Sequence, residues 1–217
     1  VTFVAADNSK SVLKRRGVIS FSSNSGKSSS NVTLQLEQKG NEPAKVDIKD
    51  CFDQTYTHIK GEVMAVDSDY GYILSDGTAN ILIYKSDFTK SASTIDKINV
   101  FGESGVYNYT GLIQYSDLEE KDGYNKDWKR PEPTVYDLAK MEEQMAKVKG
   151  KDKAKDRLVE IEYVTYTGTL KVDGKYLNIL FEGDTKAQGS LYVTTDLKED
   201  DVKALDGKKV KVTGYFF

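Results

Sequence analysis

The residues between Ile59 and Gln114 constrain the fold more than any others. They fall into short apolar runs separated by turn residues. The runs are Ile59-Lys60-Gly61-Glu62-Val63-Met64-Ala65-Val66, Gly71-Tyr72-Ile73-Leu74-Ser75, Ile81-Leu82-Ile83-Tyr84, Lys97-Ile98-Asn99-Val100-Phe101-Gly102 and Tyr107-Asn108-Tyr109-Thr110-Gly111-Leu112-Ile113-Gln114. Runs of this length, rich in Val, Ile and Tyr, read as strands. The pattern predicts strands over Thr57–Asp67, Gly71–Ser75, Asn80–Tyr84, Lys97–Gly102 and Leu112–Ser116. Gly61, inside the long first strand, lets it bend around a small barrel without a side-chain clash. Asp76-Gly77-Thr78 is a hairpin signal, and Ser86 to Thr94 predicts a loop or a single turn.

A second copy of the pattern follows. Tyr163-Val164-Thr165-Tyr166-Thr167-Gly168-Thr169-Leu170 echoes the bent first strand, Tyr176–Phe181 the second and Ser190-Leu191-Tyr192-Val193 the third. Leu205 to Gly214 echoes the fourth. Gly61 and Gly102 are 41 apart, and Gly168 and Gly214 are 46 apart. The copy reaches Phe217 with a fifth strand still owed, so its end is expected to be truncated or closed by something outside this sequence. Between the copies, Asp117 to Trp128 reads as an acidic exit whose Glu119, Glu120 and Asp122 lie on a solvated edge. Arg130-Pro131-Glu132-Pro133 then sets up a helix with Thr134 as N-cap. Its apolar stripe is Val135, Leu138, Met141, Met145 and Val148. The stripe is expected to plug the bottom of a second barrel.

Of 217 residues, 38% are apolar and 30% charged, which suits several small cores rather than one large one. No run of eighteen apolar residues exists to make a membrane-spanning helix. Net charge is +3 over residues 1–50, −7 over 51–128, +1 over 129–152 and zero over 153–217. A barrel at −7 would repel a phosphate backbone, because oligonucleotide binding draws on Lys and Arg. The chain opens mid-pattern at Val1 with neither an initiator Met nor a signal peptide, which suggests further sequence upstream.

Residues 1–40 read as the end of a β-sandwich: a strand at Val1–Val4, an alternating strand at Arg16–Ser23, a turn at Asn24–Ser30 and a strand at Asn31–Gln38. The run Arg16-Gly17-Val18-Ile19-Ser20-Phe21, the Asn24-Ser25-Gly26 turn and Val32-Thr33-Leu34-Gln35-Leu36-Glu37-Gln38-Lys39-Gly40 resemble the closing hairpin of the BACON family. These are immunoglobulin-like modules of surface and secreted proteins of Bacteroidetes. The extra Glu37 departs from the family's last strand. The resemblance implies an exported protein, lipid-anchored at the cell surface or in the periplasm, with the sandwich as spacer or sugar-binding module. Gly71–Tyr84, Asp96–Gly102 and Tyr107–Gln114 resemble bacterial OB-fold modules, a fold that hosts oligonucleotides, oligosaccharides and proteins alike. The expected organisation is mainly β. A partial BACON-like sandwich spans 1–40 and a polar connector 41–56. An OB-fold barrel spans 57–128, and a linking helix plus a second, C-terminally incomplete OB-fold barrel spans 129–217.

The chemistry-bearing residues are sparse. The one histidine, His58, lies in a strand with no nucleophile in a recognisable motif. One Cys and one His make no zinc spacing, and no glycine-rich phosphate loop opens a helix. Cys51 stands alone and reads as an inert thiol. Asp67-Ser68-Asp69 partly resembles a calcium loop but lacks the later bidentate Glu, so a plain hairpin turn is the better reading. No catalytic residue, metal or cofactor is expected. In OB barrels the strand-two and strand-three face and its flanking loops bind ligands. That nominates Asp67, Asp69 and Tyr70 with Tyr107, Asn108 and Tyr109: rings to stack on sugars, and amide and carboxylate groups to take hydroxyl hydrogens. Tyr107 and Tyr109 could equally pack the barrel rim. The expected function is a non-catalytic, exported surface module recognising a glycan or protein. The alternative is an oligonucleotide-binding tandem OB-fold protein.

Overall fold

A computed structural model describes residues 4, 6, 12, 15–24, 29–38, 40, 42–53, 56–151, 154–174, 176–181, 188–191 and 198–216. The chain divides into two compact units, residues 1–45 and 46–217. In the first, β1 (Arg15–Asn24) pairs antiparallel with β2 (Ser29–Gln38), from Arg15 opposite Gln38 to Asn24 opposite Ser29. Side chains alternate across a strand, so Ile19 and Phe21 share one face with Val32, Leu34 and Leu36. Of the third expected strand, residues 1–3 lie outside the described residues and Val4 is in no strand. Most of the expected turn at Asn24–Ser30 lies outside them too.

The second unit is mainly β and contains a closed five-stranded barrel. Its strands are β3 (Tyr56–Asp67), β4 (Gly71–Ser75), β5 (Asn80–Tyr84), β6 (Asp96–Tyr107) and β7 (Thr110–Gln114). The order around the barrel is β3-β4-β5-β7-β6, closed by β6 on β3, with β5 and β7 parallel and every other pair antiparallel. This is OB-like connectivity. Ser86 to Thr94 carries one 3-10 turn, Asp87–Lys90, as expected of that segment.

The barrel core is aliphatic. Ile59, Val63, Leu74, Ile81, Ile83, Ile98, Val100 and Ile113 are fully buried, each burial stabilising the fold by roughly 2 kcal/mol. Gly61 is required by close approach: a Cβ there would stand 2.5 Å from the Ser75 carbonyl oxygen. Part of the connector caps this core. Ile48, Cys51 and Phe52 are buried in it, and the Asp76 carboxylate accepts the Ile48 amide at 2.8 Å.

The acidic exit at Asp117–Trp128 is the solvated edge expected of it, formed by a strand that was not expected: β8 (Leu118–Tyr124) pairs antiparallel with β6 from Phe101 opposite Leu118, and residues 120–124 are exposed. Two expectations for the linking segment are corrected. Thr134 is no N-cap. Prolines 131 and 133 favour extended backbone, and Thr134–Tyr136 forms β9. The cap is Asp137, whose carboxylate accepts the Lys140 amide at 2.8 Å ahead of α1 (Leu138–Val148). The helix turns Gln144 and Val148 inward, with Leu138 and Met141 half-buried, while Met145 and Val135 are exposed. It packs on β9 and on a 3-10 turn at Ala154–Arg157 and plugs no barrel.

The second copy shows the four strands expected of a C-terminally incomplete barrel. It forms β10 (Glu162–Asp173), β11 (Tyr176–Phe181), β12 (Gln188–Leu191), a short α2 (Glu199–Lys203) and β13 (Lys209–Phe216). The sheet runs β12-β11-β10-β13 with β9 parallel on β10, and among the described residues it does not close. Tyr192 and Val193, expected in its third strand, lie outside those residues. Its core is Leu170, Leu177 and Ile179, capped by Val202 of α2, which takes the plugging role expected of α1.

Candidate functional site

Along β4 and β5, consecutive residues Gly71–Leu74 and Ile81–Ile83 are all buried. Burial without alternation means both faces of these strands are covered. Inside is the barrel core. Outside, Ile73, Leu82 and Leu112 form a second apolar cluster with Ile161, and Tyr215 of β13 packs against it. The Asn80 side-chain amide donates to the Ile161 carbonyl at 2.6 Å. The strand-two and strand-three face on which OB barrels take ligands is therefore occupied by this chain's own second sheet.

The residues nominated from sequence divide between two ends of the barrel. β5 and β7 run parallel, with Leu82 opposite Leu112 and Tyr84 opposite Gln114. Asp67, Asp69 and Tyr70 precede Gly71, which is opposite Tyr84, so they stand at the carboxyl end of that pair. Tyr107, Asn108 and Tyr109 precede Thr110 and stand at the amino end. Asp67 caps its own turn, accepting the Asp69 and Tyr70 amides at 2.9 and 3.0 Å. Asn108 and Tyr109 form a two-residue loop with φ of 46° and 74°, and the Tyr109 carbonyl accepts the Val159 amide at 2.7 Å. The rings of Tyr107 and Tyr109 are exposed.

A cleft lies at the carboxyl end of the parallel pair, with a volume of about 550 Å³. Both strands leave this end through left-handed backbone, at Lys85 (φ 51°) and Tyr115 (φ 58°), a conformation that costs a non-glycine residue of order 1 kcal/mol or more. The Lys85 amide donates to the Tyr70 carbonyl at 3.0 Å, so the first half of the nominated set adjoins the cleft. After Lys85, Ser86 caps the 3-10 turn by accepting the Phe88 amide. After Tyr115 the chain passes through Ser116 and Asp117 into β8.

Glu119 of β8 ties the two exits together. One carboxylate oxygen accepts the Ser86 hydroxyl at 2.6 Å and also the Ser116 hydroxyl. The other accepts the Tyr72 hydroxyl at 2.5 Å. Tyr72 is a barrel-core residue, and burial together with the neighbouring Glu119 charge pushes its phenol well above the ordinary range, so it stays a donor. Tyr56 is raised likewise, by burial first and then by its hydrogen bond to Asp117. Among the described residues no Lys or Arg lies within ion-pair distance of Asp87, Asp117 or Glu119. The Lys85 ammonium instead stands 5.2 Å over the Tyr84 ring. Tyr115 lines the cleft and is 63% exposed.

Sequence reasoning missed this cleft. Tyr115 fell inside an expected strand, and Asp117 and Glu119 fell inside an expected solvated exit. The available signal was a Tyr-Ser-Asp break in apolar pattern between Gln114 and Leu118. A second cavity of about 360 Å³ lies beside the β4–β5 hairpin, bordered by Lys49, Thr78, Glu160 and Glu162.

The other singled-out residues are structural. His58 stacks on Phe101 at 4.1 Å, with Nε2 3.1 Å from the Asn99 side-chain oxygen. Burial pushes the Cys51 thiol up to about 12, leaving little reactive thiolate at neutral pH. No group of three or more metal-ligating side chains converges among the described residues. The cleft presents hydroxyl and carboxylate groups together with Tyr115, an exposed residue. No known protein family, curated protein or solved structure matches the chain.

Proposed function

We propose that this chain is a non-catalytic, exported, surface-associated binding module that recognises a glycan through the cleft at Lys85 and Tyr115. The observation that carries the reading is Tyr115. An exposed ring is held in costly backbone beside carboxylate and hydroxyl groups, in a recess large enough for one or two sugar units. An aromatic ring takes the apolar face of a pyranose, and carboxylates accept its hydroxyl hydrogens. The surface setting, with an upstream lipid anchor, rests on the likeness of the β1–β2 segment to the BACON family.

Two observations weigh against the oligonucleotide alternative. The barrel region carries −7, and its usual ligand face is covered by Ile161 and Tyr215. A glycan array probed with the whole chain and with Tyr115→Ala tests the reading. Binding by the parent, weakened about tenfold or more in the variant, is expected for a stacking residue. Hits that ignore the substitution, or capture of a protein in place of any glycan, would place recognition elsewhere. Tight, salt-sensitive binding of single-stranded DNA would favour the alternative.

A further inference from the structure

We propose that the outer edge of β13 is a docking site for an extended acidic segment of a partner protein, which adds to the sheet as a strand. This site is independent of the glycan reading and is visible in the chain's own duplication. Gly61 of β3 pairs with Ile98 of β6, and Gly168 of β10 pairs with Val210 of β13. Residues 209–213 of β13 therefore stand where residues 97–101 of β6 stand in the barrel. Along that stretch β6 is flanked on both sides. On one side is β3, and on the other is β8, with Phe101 opposite Leu118, Asn99 opposite Glu120 and Ile98 opposite Lys121. β13 has β10 on one side and, among the described residues, no strand on the other. An open edge presents a row of amides and carbonyls to which an extended chain can add.

The strand present on β6 shows what chemistry suits the edge of β13. β8 carries Glu119, Glu120 and Asp122, and the Asp122 carboxylate accepts the Lys60 ammonium, with Asn99 and Lys97 beside it. Lys60 pairs with Asn99 across β3 and β6, and Thr167 pairs with Lys211 across β10 and β13. Thr167 thus stands at the place of Lys60, and Lys211 at that of Asn99. The cation has moved from the inner strand to the edge strand and stays on the same face, because paired residues share a face. Lys211 is exposed, and no carboxylate lies within ion-pair distance of it among the described residues. Lys209, on the same face, is already engaged. These lysines decide against a second copy of β13 as the occupant, since pairing two such edges brings like charges together. An acidic strand gains from the same arrangement, and its residue opposite Lys211 corresponds to Glu120.

The test is an NMR titration of the isotope-labelled whole chain, at low salt, with a synthetic peptide of the β8 sequence, residues 116–125. We expect saturable shifts at the amides of residues 209–213. The peptide with Glu120→Lys should bind about fivefold more weakly, as exchanging an attractive cross-strand pair for a repulsive one predicts. It should recover that loss against the Lys211→Glu variant of the whole chain, which fixes the register. The peptide with Glu119→Pro and Lys121→Pro lacks two amides and should not bind. Four results overturn the inference. Shifts confined to residues 97–101 would mean that the peptide only replaces β8 on its own strand. Shifts nowhere, up to millimolar peptide, would mean that the edge takes no strand. Equal binding of the parent and Glu120→Lys peptides would mean that acidity is not what the edge selects. Self-association of the chain alone through residues 209–213 would make the occupant a second copy.

Discussion

The closed barrel and the open sheet are built on the same register. In the barrel, Gly61 pairs with Ile98, Ile59 with Val100 and Thr57 with Gly102. In the second sheet, Gly168 pairs with Val210, Tyr166 with Val212 and Val164 with Gly214. The bend glycines also match. A Cβ at Gly61 would meet the Ser75 carbonyl oxygen at 2.5 Å, and one at Gly168 the Leu180 carbonyl oxygen at 2.2 Å. What differs is β7. In the barrel it crosses over the end of β6, and Ile98 and Val100 are fully buried; their counterparts Val210 and Val212 are half-buried. Tyr166, standing where Ile59 does, offsets part of the deficit by stacking on Phe181 at 5.0 Å. The comparison teaches that register is set by the bent first strand and its glycine, whereas burial is set by closure. The cleft is a product of closure as well, since its walls are the exits of the parallel β5–β7 pair.

The largest expected effect comes from the strand-four glycines. A Cβ at Gly102 would lie 2.7 Å from Ile113 Cγ2 and 3.2 Å from Ser116 Cα, whereas Gly214 has nothing within 4 Å. Gly102→Val should therefore destabilise by about 3 kcal/mol through overpacking. Gly214→Val should shift stability by less than about 0.5 kcal/mol. Urea midpoints of the two variants measure the contrast. Equal losses would break it, because they would mean that Gly214 is covered as closely as Gly102.

The repeat was legible because the bend glycines and alternating apolar residues are local signals. Strands β4, β5 and β11 fall on their expected bounds, Gly71–Ser75, Asn80–Tyr84 and Tyr176–Phe181. Closure of the first copy was expected through its resemblance to OB-fold modules and is found, but periodicity alone does not carry it: whether a sheet closes depends on a non-local parallel pairing such as Leu82 with Leu112. β8 was hidden for a different reason. Its exposed acidic residues suit an edge strand, where charge discourages further pairing, but they read equally well as solvated chain. The cleft was missed because its strained residues, Lys85 and Tyr115, are neither Gly nor Asn, the residues that usually announce a left-handed turn. The covering of the β4–β5 face had a signal that was passed over: Tyr72-Ile73-Leu74 and Ile81-Leu82-Ile83 are apolar without alternation.

The next effect sharpens the comparison at the barrel's hairpin. The Asp76 carboxylate accepts the Thr78 hydroxyl at 2.6 Å and the amides of Ile48, Thr78 and Ala79, tying the hairpin to the connector cap. Burial alone would raise its pKa, but these hydrogen bonds outweigh burial and hold it below the ordinary carboxylate value. A depressed folded-state pKa means stabilisation that is present above the unfolded value and lost as pH falls through the folded one. Asp76→Ala should cost about 2 kcal/mol at neutral pH by leaving the Ile48 amide without its partner. The gap to the parent should narrow steadily in strong acid. Urea midpoints of both proteins across that range are the check, and a gap indifferent to pH would show that the carboxylate's charge contributes nothing.

The smallest effect concerns one backbone position that the two copies fill differently. Ile95 donates its amide to the Val63 carbonyl, and Gly207 donates its amide to the Leu170 carbonyl, at matching places before β6 and β13. Both are left-handed, with φ of 95° and 72°. Gly207 has no neighbour within 4 Å of a Cβ, so Gly207→Ala tests the backbone alone and should cost about 1 kcal/mol. Ile95 is β-branched, which makes that backbone expensive, yet its side chain is half-buried against the barrel. Ile95→Gly relieves strain of about 2 kcal/mol, and against that it removes the burial and frees the unfolded chain at about 1 kcal/mol each. Its midpoint should stay within about 0.5 kcal/mol of the parent. A clear gain would mean that the barrel holds Ile95 under strain without return. A clear loss would mean that its side chain does for the barrel what no residue at Gly207 does for the open sheet.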